Sequence, residues 1–200
     1  MLKTTPNNNL IYVGIDEVGR GCCAGPVVAA AVIWDPTFEH ENLKFIKDSK
    51  KLSKKKRELL TDFIKENAID YSISFINNET IDKYNILQAT YMAMHDTLST
   101  LKVDFDHILV DGNNFPKYKN KDHTCVIQGD NTYLIIAAAS ILAKTARDEY
   151  MTNLSITYPE YKWNTNMGYG TKEHIEKIKE IGLTKYHRLS FTPCSSYYIK

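Results

Sequence analysis

Two apolar runs held apart by a glycine-rich connection constrain this chain more than any other feature. Leu10–Ile15 (LIYVGI) reads as a buried strand running into Asp16-Glu17, and Val27–Trp34 (VVAAAVIW) as a second strand ended by Asp35-Pro36. Between them, Val18–Pro26 (VGRGCCAGP) holds three glycines and a proline, the signature of a loop or tight turn. Two apolar strands joined this closely predict an antiparallel pair.

The elements downstream alternate. Ser53 is placed to cap a helix to about Asn67, with Leu59, Leu60, Phe63 and Ile64 on its buried face. Ile69–Ile76 alternates apolar and polar residues and predicts a third strand. A long helix follows from near Glu79 to Thr100, with Tyr84, Leu87, Tyr91, Met94 and Leu98 forming one apolar stripe. His107–Val110 and Thr124–Ile127 predict short strands, ending at Asp111-Gly112-Asn113 and at Gly129-Asp130. Tyr133–Tyr150 reads as a packed, alanine-rich helix, and Thr171 caps a last helix to Ile181, closed by Gly182. Strands alternating with helices after an initial pair predict an α/β domain with a mixed sheet.

Composition narrows the class. The chain has 200 residues, 43% of them apolar and 24% charged, which excludes a collagen-like or low-complexity chain and opposes wholesale disorder. The longest nearly apolar run, Leu134–Ala143, is about half a membrane span and is interrupted by Ser140. The first ten residues lack the apolar core of a signal peptide, so a soluble, cytoplasmic protein with no membrane partner is expected. A net charge of +1 predicts no partner, but its distribution does. Eight basic residues between Lys44 and Arg57 stand against one acid, Asp48, enough to attract phosphates, although a solvated helix face fits Lys54–Lys56 equally. The four cysteines include no CxxC pair and read as buried small hydrophobes.

The chemistry-bearing pattern lies in the acids. Asp16 and Glu17 follow one predicted strand, Asp111 another and Asp130 a third, and strand ends of a mixed sheet can converge on one cleft. Grouped carboxylates repel, and their hard oxygens favour Mg²⁺ or Mn²⁺ over zinc. The same acids also fit residues that merely end strands and start turns. Gly19-Arg20-Gly21 offers close backbone approach beside a guanidinium, while Lys47, Lys50 and Lys51 offer phosphate contacts. Gly168-Tyr169-Gly170 exposes an aromatic ring able to stack on a sugar or base, or is only the turn before the Thr171 helix. Together these features point to phosphodiester chemistry.

At these residues the chain resembles the type 2 ribonucleases H, the ribonuclease HII family. The resemblance is carried by YVGIDEVGRG (12–21), AGPVVAAAVI (24–33), DSKKLS (48–53), ILVDGN (108–113), Gly129-Asp130, AAASILAKTARD (137–148), GYGTKEH (168–174) and HRLSF (187–191). It implies an RNase H-like fold, a central mixed sheet flanked by helices, with a catalytic domain over 1–155 and a small C-terminal helical portion over 156–200. It implies that Asp16, Glu17, Asp111 and Asp130 are catalytic and hold two Mn²⁺ or Mg²⁺ ions, Asp16 bridging both. It implies that Gly19, Arg20 and Gly21 recognise the ribonucleotide and its 2′-hydroxyl and that Tyr169 stacks near the RNA–DNA step. Lys47, Lys50, Lys51 and Lys144 complete the implied substrate contacts. Asp148, a fifth acid in matched sequence, is expected to play a supporting part.

The implied activity is endonucleolytic cleavage of RNA in RNA–DNA hybrids and on the 5′ side of single ribonucleotides in duplex DNA. It leaves 5′-phosphate and 3′-hydroxyl ends and removes misincorporated ribonucleotides; a monomer is the default. Cys22-Cys23 and Gln128 depart from the family pattern and are read as a packing change and as the loss of one basic backbone contact. The rival readings are a type 3-like enzyme acting on long hybrids, a silent nucleic-acid-binding module, and a metal-dependent DNA nuclease of the same fold.

Overall fold

The computed structural model describes residues 1–47 and 49–197, with Lys51 described by its backbone alone. Five strands, β1 (Tyr12–Val18), β2 (Val27–Ile33), β3 (Asp70–Ile76), β4 (His107–Asp111) and β5 (Asp122–Val126), form one sheet in the order β3-β2-β1-β4-β5. The β1–β2 and β2–β3 pairs are antiparallel, and the β1–β4 and β4–β5 pairs are parallel. The expected mixed α/β sheet is therefore present.

Both faces of the sheet are covered. On one lie α1 (Lys54–Asn67) and α3 (Leu134–Thr157), whose Leu60, Ile64, Ile135, Ala138 and Leu142 pack with Tyr12, Val28, Val32 and Leu109. On the other lies α2 (Asn78–Thr100), whose Ala93, Met94 and Leu98 meet Val13, Ile15, Ala31 and Ile108. The seven residues of β2 are all buried because the strand is central and covered on both sides. Gly14 lets α3 lie directly on β1: a Cβ there would stand 2.5 Å from the backbone carbon of Ile135. Short α4 (Trp163–Asn166) and α5 (Lys172–Ile181) close the C-terminal part over α3. α3 itself runs to Thr157 without a break.

Several expectations shift. Strand β1 begins at Tyr12, not Leu10, and continues through Asp16 and Glu17, because its ladder with β2 runs on to Val18↔Val28. Leu59 faces solvent, and α1 buries Thr61 instead. The long helix is broken at Asn85 (φ 68°), whose Oδ1 accepts from the Leu87 and Gln88 amides at 3.0 and 3.1 Å. Asn85 thus caps a second helical segment, and the break takes Tyr84 and Leu87 out of the stripe and into solvent. Helix caps by Ser53 and Thr171 stand as expected.

Cys22, Cys23 and Cys194 are buried and Cys125 is half-buried; all four are free thiols. Among the described residues no helix is long and apolar enough to cross a membrane.

The C-terminal part is held by an aromatic cluster of Tyr161, Trp163, His174 and His187. Burial first, and the neighbouring His174 second, hold His187 down at about 4. An unfolded chain takes up this proton near pH 6.5, whereas the folded chain refuses it until about pH 4. Stability contributed by the neutral His187 is therefore complete above about pH 6.5 and lost as the pH falls towards 4. Denaturant midpoints measured between pH 7 and pH 4 are expected to fall across this window, and His187→Gln to flatten the slope.

Candidate active site

Parallel pairing of β1 with β4 sets the acids side by side. Ile15 pairs with Val110, so Asp16 and Asp111 follow one step beyond on neighbouring strands. Alternation along each strand turns both towards the α3 side of the sheet, the side of Gly14 and Leu109. Asp130 arrives from a short 3₁₀ turn, Gly129–Asn131, after β5. That turn is tied to β4 by the Gly129 amide, which donates to Asp111 Oδ1 at 2.7 Å. Asn131 Nδ2 donates to Asp130 Oδ1 at 2.8 Å, and Asp130 is buried. Glu17 is half-buried and meets the exposed Arg20 guanidinium at 3.3 Å.

Burial raises Asp16 well above the ordinary carboxylate range, and the charges of Glu17 and Asp111 raise it further. Glu17 is raised by burial against the pull of Arg20. A carboxylate so placed is destabilised when ionised unless a cation offsets it. Ser140, in the middle of α3, partly offsets this by favouring the ionised Asp16, and is itself 3.0 Å, Oγ to Oγ, from Ser49. In sequence it is only the interruption of an apolar run; that one polar residue within so buried a helix face was the available signal.

The donor set is oxygen only, which fits a hard divalent cation. Among the described residues no three Asp, Glu, His or Cys side chains are drawn close enough to form a ready-made chelate. Asp16, Glu17 and Asp111 are electrostatic neighbours that repel one another.

The Ser49–Ser140 contact also brings the basic segment beside the acids. Lys47 and Lys50 are exposed there, and the side chain of Lys51, like all of Asp48, lies outside the described residues. Arg57 does not belong to a phosphate-facing cluster. Its guanidinium donates to the Leu52 carbonyl at 2.8 Å and to Asp148 at 2.9 Å. Lys144, one turn earlier on α3, pairs with the other oxygen of Asp148 at 2.6 Å, so Asp148 is held between two cations, of which Arg57 ties α1 to α3.

The loop after β1 is built on two fully buried arginines that the sequence reading gave no role. Arg147 donates to the carbonyls of Ala24, Pro26 and Met167 at 3.0, 2.9 and 2.8 Å. Arg188 donates to those of Gly19, Arg20 and Gly25 at 2.7, 2.8 and 3.0 Å. Burial lowers Arg188 to about 10, which leaves it charged at neutral pH. Gly19 (φ 91°) admits the Arg147 side chain, since a Cβ would stand 2.2 Å from its Nε. The loop is joined to the Gly168–Gly170 turn by the Cys23 amide, which donates to the Gly168 carbonyl at 2.8 Å. Tyr169 is 43% exposed, and its hydroxyl is held above its ordinary value by burial and by the neighbouring Cys22 thiol. Both arginines lay in segments quoted for the resemblance; no charge pattern marks them, because their partners are backbone carbonyls.

A family profile described as Ribonuclease HII matches residues 13–194. The chain belongs to the ribonuclease HII family. It is 51% identical over 192 residues to a ribonuclease HII of Parabacteroides distasonis, covering 96% of this chain and 95% of that one. The crystal structure of ribonuclease H2 from Pyrococcus horikoshii OT3 superposes with a TM-score of 0.78 at 26% identity, over 93% of this chain and 96% of that one. A Bst RNase HIII in complex with Mn²⁺ shares the fold, with a TM-score of 0.74 at 20% identity over 95% of this chain and 70% of that one. As a ribonuclease HII, the chain is a type 2 ribonuclease H, a hydrolase of the endonuclease class that acts on RNA–DNA hybrids with divalent metal.

Replacing Arg188 with Met keeps much of its length but leaves three buried carbonyls without donors. The variant is expected to lose on the order of 3 kcal/mol or more in equilibrium denaturation. An unchanged midpoint would show that the loop does not depend on this guanidinium.

Proposed function

We propose that this ribonuclease HII chain cuts on the 5′ side of single ribonucleotides embedded in duplex DNA, as well as RNA within longer hybrids. One observation carries the reading. The loop that carries Gly19, Arg20 and Gly21 follows directly from Asp16 and Glu17, and further along it the Cys23 and Ala24 amides donate to the Gly168 carbonyl of the turn that presents Tyr169. A single substrate position can then meet acids, loop and aromatic ring together. Exposed Gly21 has nothing within 4 Å of where a Cβ would stand, which leaves room for a sugar to approach the backbone. The 2′-hydroxyl is the one group that separates ribose from deoxyribose, and a rigid backbone read at close range suits it. Tyr169 would stack beside that sugar, and Lys47, Lys50 and Lys51 would contact phosphates. Lys144 would join them only by sharing its bond with Asp148.

Asp16, Glu17, Asp111 and Asp130 would hold two Mn²⁺ or Mg²⁺ ions. Bound divalent cations supply an activated water and stabilisation of the leaving 3′-oxygen. Asp16 and Asp111 orient the scissile phosphate's surroundings from adjacent strands, and the Gly129 amide fixes the direction of Asp111. Ser140, on the helix side, favours the ionised form of Asp16. The products would carry 5′-phosphate and 3′-hydroxyl ends, which suits the removal of misincorporated ribonucleotides.

The test is an end-labelled DNA duplex holding one ribonucleotide, beside a long hybrid and an all-DNA duplex, with Mn²⁺, Mg²⁺ or EDTA. A single metal-dependent cut 5′ to the ribonucleotide is expected. Cuts in the long hybrid alone would move the chain to type 3-like specificity, and cuts in all-DNA duplex would overturn the reading.

Asp16→Asn is expected to lower cleavage by more than about a hundredfold, beyond what losing an outer-shell partner of a metal site costs. The same change removes a buried charge facing two like charges, so in EDTA the variant should melt no lower than the parent chain. Mn²⁺ should raise the parent's melting temperature and leave that of Asp16→Asn nearly unmoved.

A further inference from the structure

We propose that His174 is a positioning residue for Tyr169, acting through a proton-ordered pair with His187 that fixes the tyrosine's main chain. The inference rests on the reading above, in which Tyr169 meets the nucleic acid.

His174 lies in the first turn of α5 with its ring fully buried. Its Nδ1 is 2.8 Å from the Tyr169 carbonyl oxygen. A carbonyl only accepts, so Nδ1 carries the proton. Its Nε2 receives the Trp163 indole N–H at 3.1 Å, and an indole only donates, so Nε2 is bare. The same Nε2 stands 3.2 Å from Nε2 of His187. On the far side of His187, Nδ1 receives the Thr184 backbone N–H at 2.9 Å. That bond leaves His187 protonated on Nε2 and donating to His174. Each tautomer is therefore dictated by a neighbour whose role cannot be exchanged: an indole, a backbone amide and a backbone carbonyl.

The chain of bonds ends on the two loops of the site. Tyr169 is held on both sides, its amide donating to the Asn166 carbonyl at 2.9 Å and its carbonyl also accepting the Thr171 amide at 2.8 Å. His187 sits in an isolated bridge with Ala24, and the next residue's amide donates to the Cys23 carbonyl at 2.8 Å. The loop that would read the ribose and the ring that would stack beside it thus share one buried network. Tyr169 keeps its side chain exposed on a backbone with no slack. A pair serving only to pack α5 would not need a defined tautomer aimed at a surface residue's carbonyl.

The parent chain provides the first test. Long-range ¹H–¹⁵N correlation at neutral pH is expected to show the Nδ1–H tautomer for His174 and the Nε2–H tautomer for His187; the reverse assignment overturns the proposal. The second test compares His174→Phe, which keeps volume but removes the donor, with His174→Asn, which restores a donor near Nδ1. Amide exchange at Tyr169 and Thr171 should quicken at least tenfold in His174→Phe and recover in His174→Asn. Cleavage of the single-ribonucleotide duplex should follow the same order, with kcat/KM falling about tenfold to a hundredfold in His174→Phe. In a Tyr169→Ala background that further loss should vanish, since a residue acting through Tyr169 has nothing left to position. Unchanged exchange at Tyr169, failure of His174→Asn to rescue, or a full additional loss in the Tyr169→Ala background would each overturn it. A parent chain that cuts neither substrate would overturn the functional reading instead, and the tautomers and exchange rates would still judge the role of His174.

Discussion

Two buried guanidinium groups that direct their hydrogen bonds to main-chain carbonyls hold the loop after β1 in place. Arg147 and Arg188 between them donate to six main-chain carbonyls, five of them in the stretch from Gly19 to Pro26. A loop that bends this often leaves carbonyls that no strand or helix can satisfy, and leaving them bare inside the protein would cost more than bringing in a charge. The guanidinium suits the task because it presents several donors in a rigid plane. Burial pulls Arg188 down only to about 10, so the cation persists and charge-assisted bonds are kept at neutral pH.

The same economy joins parts of the chain that are far apart. Arg147 stands on α3 and reaches the loop after β1 and the Met167 carbonyl; Arg188, near the C-terminus, reaches the same loop from the other side. The C-terminal part is thereby tied to the loop after β1. The acids have the opposite character. Asp16 is raised by burial and by like charges, so its ionised form is held in an environment that opposes it. Rigid donors around the loop and an unfavourable charge at the strand ends fit together: the first supplies the stability that the second spends.

How much of this could be read beforehand depended on the range of the interactions. Strands β1 and β2, their antiparallel pairing and the caps at Ser53 and Thr171 follow from neighbours within a few residues, and they were legible. The stripe from Tyr84 to Leu98 was misjudged because Asn85 caps a second helical segment inside what looked like one helix, a local bond that outweighs periodicity. Leu59 was placed inward by spacing alone and is exposed. Arg57 looked like part of a phosphate-facing cluster until its partner Asp148, distant in sequence, was known. Ser140 and the two arginines went unassigned because their partners are a distant serine and main-chain carbonyls.

By itself the sequence determined the class of chemistry: hydrophobic periodicity specified strands and helices, and the order of acids, glycines and aromatic residues specified a family. These are properties of residue type and spacing, which a string records. Only the tertiary structure decided which groups meet. Parallel register set Asp16 beside Asp111, and the gap left at Gly14 let α3 lie directly on β1 at Ile135. The fold also gave His174 and His187 fixed tautomers, because a proton's position depends on what faces the ring, and those partners come together only when the chain is folded.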